Sequence, residues 1–115
     1  MNQSRALLDS LLSRKGIVAA GEFDEAGRLV GYKSRILTPE QADSTARLSG
    51  SLLSLLDTLT ALYSRYCGFP LAPLQSVRLS GVEYTLLLVS SAKHCVGVIA
   101  KNGAADLEAL EREMA

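Results

Sequence analysis

A chain of 115 residues, 48% apolar and 21% charged, has the length of one domain, taken as 1–115, and too much apolar content for global disorder. Twelve basic residues against twelve acidic ones leave no footprint for a phosphate backbone, and with no Trp, two Phe and four Tyr there is no obvious base-stacking platform, so nucleic acid is not an expected partner. Two cysteines, Cys67 and Cys95, with no C-x-x-C and no His cluster, make neither a disulfide framework nor a zinc site; no metal and no cofactor is expected.

The first element is a short helix ended by Gly16. Leu7, Leu8, Leu11 and Leu12 form its apolar stripe. Asp9 breaks the run Ala6-Leu7-Leu8, so the segment does not read as a secretion signal. Gly16 to Phe23 is small and apolar on both alternating faces, as in a buried strand. Asp24-Glu25-Ala26-Gly27 is a hairpin signal, and Arg28 to Lys33 returns as a more polar strand suited to a sheet edge.

A long helix follows with clear punctuation. Thr38 is placed to cap it, Pro39 takes the first helical position, and Gln41 completes a capping box. Gly68 and Pro70 mark its end after Cys67. At 1.5 Å per residue the helix is roughly 43 Å long. Three strands come next: Leu74–Leu79, Glu83–Val89 and His94–Ala100, with turns at Ser80-Gly81 and Ser91-Ala92-Lys93. The run Leu86 to Val89 is far too short to span a membrane, and the cytoplasm is the expected compartment. A final helix starts near Asp106, with Leu107, Leu110 and Met114 as its apolar stripe.

Strands one, four and five are apolar on both faces and belong in the middle of a sheet. Strands two and three read as edges. The predicted fold is α+β: a five-stranded antiparallel sheet of order 2-1-5-4-3, sandwiched between the long helix and the two short terminal helices.

The long helix carries more apolar surface than one sheet face can cover. Leu48, Leu52, Leu55, Leu59, Leu62 and Tyr66 recur at spacings of 4, 3, 4, 3 and 4, which is a coiled-coil seam. Leu53, Leu56 and Tyr63 form a second stripe beside it. Each Leu left in water forgoes about 1.5–3 kcal/mol relative to burial. Pairing with a second copy recovers much of that, since a two-fold arrangement needs only one self-complementary patch. Strand three, at Ser76, Val77 and Arg78, offers an unpaired edge that could join its counterpart. The expected homodimer interface is therefore Leu48, Leu52, Leu55, Leu56, Leu59, Leu62, Tyr63 and Tyr66 with Ser76, Val77 and Arg78. Spacing alone leaves open which stripe meets the sheet.

The order of these elements resembles the roadblock/dynein light chain family, with its profilin-like fold. The resemblance spans nearly the whole chain. It is carried by Gly16 to Phe23 with Gly27-Arg28-Leu29-Val30, by the long helix, and by Leu79 to Tyr84 leading to His94-Cys95-Val96-Gly97-Val98. More narrowly, the chain is similar to a bacterial and archaeal branch without an assigned function. The resemblance implies a homodimer formed through the long helix and the third strand. It further implies a scaffold or regulator, in some relatives a partner of small Ras-like GTPases. Helix two departs from the family in being rich in Leu and Ser.

No P-loop, G-x-S-x-G, H-E-x-x-H or EF-hand motif is present. His94 and Cys95 are neighbours on a strand, so their side chains point to opposite faces and make no couple. Cys67 sits at a helix C-terminus, which disfavours a thiolate. Gly97 reads as a place where a helix approaches closely. No catalytic residue is expected and the chain reads as a non-enzyme. The alternative is a small-ligand or redox sensor built on the same fold, which would need a cavity or a reactive thiol.

Overall fold

The computed structural model describes residues 2–91 and 94–114. The elements are α1 (Asn2–Leu12), β1 (Ile17–Asp24), β2 (Leu29–Ser34), α2 (Pro39–Cys67), β3 (Ser76–Ser80), β4 (Tyr84–Ser91), β5 (His94–Lys101) and α3 (Leu107–Met114). The strands form one antiparallel sheet in the order β2-β1-β5-β4-β3, as expected. The bounds of all five strands differ from those expected by one or two residues, and Ser91 belongs to β4 instead of the turn. α1 begins at Asn2, ahead of its apolar stripe, and β3 begins at Ser76 because Leu74 is still held to α2 by the Asp57 side chain. Of the expected turn Ser91-Ala92-Lys93, Ala92 and Lys93 lie outside the described residues.

The local chemistry explains where each element starts and stops. Asp24 closes the first hairpin: its Oδ1 accepts from the backbone N–H of Ala26 and of Arg28, both at 2.9 Å. Gly27 follows at φ 78°, a conformation that a side chain would strain. At the start of α2, Thr38 Oγ1 accepts from Gln41 N at 3.2 Å and Gln41 Oε1 accepts from Thr38 N at 2.9 Å, the reciprocal capping box. Gly68 ends the helix in the left-handed region, its N–H donating to Ser64 O. Asp106 caps α3 by accepting from Ala109 N at 3.2 Å. The β3–β4 turn is braced by Asn102, whose Nδ2 donates to the Gly81 and Val82 carbonyls while its Oδ1 accepts from buried Thr85.

Strand alternation divides the core into two layers. On one face Ile17, Leu87, Val96 and Val98 pack under α1 and α3 with Leu8, Leu11, Leu110 and Met114. On the other, Phe23, Leu88 and Cys95 meet Ala46 and Leu53 of α2. The second layer is thin, and α2 leaves an apolar cavity of about 40 Å³ against the sheet near Ala42, Ala46 and Gly97. Gly97 makes room for a side chain and not for a helix: a Cβ there would stand 2.9 Å from Leu88 Cδ2. The molecule is 42 Å long, the length of α2 itself.

Candidate interaction surface

α2 has two faces of opposite character. Toward the sheet it presents Ala42, Ala46, Ser49 and Leu53, all buried and spaced by three and four residues. Small side chains allow the helix to sit close to the strands. Away from the sheet it presents Leu48, Leu55, Leu59, Leu62 and Tyr66, all exposed, with Leu48 at 72% and Tyr66 at 75%. The leucine seam is therefore the outward stripe. Leu52, on its shoulder, is half-buried against the Phe23–Leu53–Leu88 cluster.

The second expected stripe does not stay together. Leu53 is buried under the helix, Leu56 is half-buried, and Tyr63 is exposed. The stripe that meets the sheet escapes a search for hydrophobic periodicity because Ala and Ser carry little hydrophobic signal. Its mark is the run of small residues, Ala42, Ala46, Ser49 and Gly50, opposite the seam.

The segment after α2 extends the apolar surface. Leu71 N and Ala72 N both donate to Ser64 Oγ, at 2.9 and 3.0 Å, and Leu74 N donates to Asp57 Oδ1 at 3.2 Å. These bonds strap the loop back along the helix, and Phe69 and Leu71 within it are exposed. Arg65 stands over the Tyr66 ring, 5.5 Å from its centroid.

At the sheet edge, β3 pairs with β4 on one side only. Ser76 and Val77 are half-buried and Arg78 is exposed. Ser76 Oγ donates to Glu111 Oε1 at 2.8 Å, and Arg78 Nε lies 3.7 Å from the same oxygen. α3 thus tethers the edge strand from one face, while Val77 packs with the α2-side cluster. The eleven residues named from sequence fall into two regions, the outer face of α2 and the β3 edge. Leu52, Leu56, Ser76 and Val77 are only partly accessible.

The chemical groups do not converge. Cys95 lies on the α2 side, where burial pushes its thiol up; its Sγ is 3.8 Å from Ser90 Oγ. His94 lies on the opposite face, its Nε2 3.1 Å from Glu22 Oε2. Glu22 is a buried carboxylate in β1 absent from the residues singled out by sequence, although a single acid within a small apolar strand was its signal. Cys67 is exposed at the end of α2. Among the described residues no three potential ligands gather to hold a metal ion, and no helix is long and apolar enough to cross a membrane.

Comparisons with known proteins agree with this architecture. The family model described as uncharacterized conserved protein (DUF2173) matches residues 7–115. No curated protein matches the sequence. Among solved structures, a roadblock/LC7 domain from Streptomyces avermitilis is 22% identical with a TM-score of 0.78, covering 95% of this chain and 86% of that one. The gliding protein MglB from Thermus thermophilus is 18% identical with a TM-score of 0.78, covering 97% and 82%. A structure described as MglB with a tetrameric arrangement is 18% identical with a TM-score of 0.79, covering 97% and 81%. At these identities the likeness establishes the fold, which is that of a roadblock domain.

Proposed function

This chain belongs to the DUF2173 family and has the roadblock fold, and on that footing we propose that it is a homodimeric protein-interaction module, a single domain without catalysis of its own. The reading is carried by one observation: the leucine seam of α2 faces solvent while a stripe of small residues takes the sheet. A contiguous apolar strip of this kind marks an interaction surface. A second copy is the economical occupant, because antiparallel or parallel pairing of two seams covers both at once. The free edge of β3 adds backbone groups that a second copy can pair. The interface comprises Leu48, Leu52, Leu55, Leu56, Leu59, Leu62, Tyr63 and Tyr66 with Ser76, Val77 and Arg78.

The paired module acts in the cytoplasm as a scaffold or regulator, with a small Ras-like GTPase as client. Support for that client is the fold and the family resemblance alone. Static light scattering at micromolar concentration tests the pairing: twice the chain mass is expected, and a stable folded monomer overturns it. Leu55→Arg combined with Leu59→Arg should return the monomer mass. Capture by the immobilised chain from a lysate loaded with a non-hydrolysable GTP analogue tests the client, and consistent absence of any Ras-like GTPase counts against it.

The sensor alternative has the cavity beneath α2 in its favour. About 40 Å³ is far below the ~300–1,000 Å³ of ordinary ligand pockets, and the buried Cys95 thiol is held away from its reactive form.

A further inference from the structure

The flank of α2 that carries Gly50, Ser54 and Asp57 borders an open groove of about 580 Å³ between the helix, the β1–β2 turn and the loop before β3. Its apolar floor is Phe23, Leu53 and Leu74. Its rim holds three carboxylates, Asp24, Glu25 and Asp57, and among the described residues no Lys or Arg lines it. Asp24 is engaged by Arg28 at 2.9 Å, and Asp57 spends one oxygen on Leu74 N. Glu25 is exposed and makes no ion pair among the described residues. In a chain with no net charge, this places an acidic rim directly over apolar ground. The groove lining contains none of Leu55, Leu59 and Leu62 of the seam, and its wall at Pro73, Leu74 and Gln75 runs into the β3 edge.

We propose that this groove docks a basic segment of another protein, one in which Arg or Lys alternates with Leu-sized side chains. Charge complementarity sets the basic positions, since each cation would meet Glu25 or the free oxygen of Asp57. The floor sets the apolar positions, and a small polyamine would leave it unused. Extended chain geometry supplies both at once, because alternate side chains of a strand point to opposite sides.

The test uses the full chain and a fluorescein-labelled octapeptide alternating Leu and Arg, read by fluorescence polarisation. Saturable binding is expected, with an octapeptide alternating Leu and Glu not binding. Glu25→Lys should weaken the Leu-Arg peptide about tenfold, while Glu83→Lys, outside the groove, should not. Cys95 lines the groove, so in a Cys67→Ser chain the peptide should also slow alkylation of the Cys95 thiol. The proposal is overturned by absent saturation, by binding indifferent to Glu25→Lys, or by binding that leaves the Cys95 rate unchanged. Equal competition by spermidine overturns the peptide as occupant. Cys95 alkylation that quickens on dilution without peptide assigns the groove to a second copy instead.

Discussion

Gly50 of α2 backs onto Gly27 of the first hairpin so closely that a Cβ on Gly50 would stand 2.7 Å from the Gly27 Cα. The neighbour is backbone, and Gly27 itself holds φ 78° to close the turn, so neither side can yield cheaply. Gly50→Ala is therefore expected to destabilise the fold by about 1–3 kcal/mol, despite the better helix propensity of Ala. Urea unfolding measures it. A gain in stability would mean that α2 can lift from the hairpin without loss.

The two faces of α2 predict a contrast between neighbouring leucines. Leu53 is 7% exposed and anchors the thin core layer, so Leu53→Ala should cost about 2–5 kcal/mol. Leu48→Ala, on the outward seam, should shift the unfolding of the isolated chain by less than about 0.5 kcal/mol. Measured at high dilution, equal losses for the two would show that the seam is covered by the chain's own fold.

Asp24 predicts a pH effect. Backbone hydrogen bonding from Arg28, followed by the bond from Ala26 and the Arg28 side chain, holds its carboxyl below the ordinary value of 3.8. A depressed folded-state value contributes stability that is present above that ordinary value and is lost as pH falls through the lower one. Asp24→Asn should thus lower the melting temperature at neutral pH, with the gap to the natural chain closing on acidification below about pH 4. Melting curves from pH 7 to pH 2 decide it, and a gap that stays constant would remove the carboxylate from the account.

The two thiols should separate kinetically. Cys67 is exposed, whereas Cys95 is buried with its thiol pushed up by desolvation. Titration of the folded chain with a thiol reagent at neutral pH should give one fast and one slow equivalent, the slow one accelerating in denaturant. Two fast equivalents would show the α2 layer opening readily and would revive a redox role.

Much of this molecule is legible in the chain. The capping box at Thr38 and Gln41 and the left-handed Gly68 bound α2, because caps and stops are local chemistry between residues a few positions apart. The sheet order follows from composition: Ile17 to Phe23, Leu86 to Val89 and Cys95 to Val98 are apolar on both faces and cannot sit at an edge. The opposition of His94 and Cys95 follows from the two-residue period of a strand.

The contents of the groove and the pairing of Glu22 with His94 are different, since they join residues far apart in the chain. The same holds for the rotation of α2. The spacing of Leu48, Leu52, Leu55, Leu59, Leu62 and Tyr66 defines an apolar seam, and by burial alone that seam would be drawn to the sheet. The fold turns it outward. The hairpin at Gly27 stands against Gly50 with no room for a Cβ, and that contact holds α2 with Ala42, Ala46, Ser49 and Leu53 toward the sheet. Sequence determined where the helix begins, where it ends and how its leucines repeat; close packing against residues distant in the chain decided which way they face.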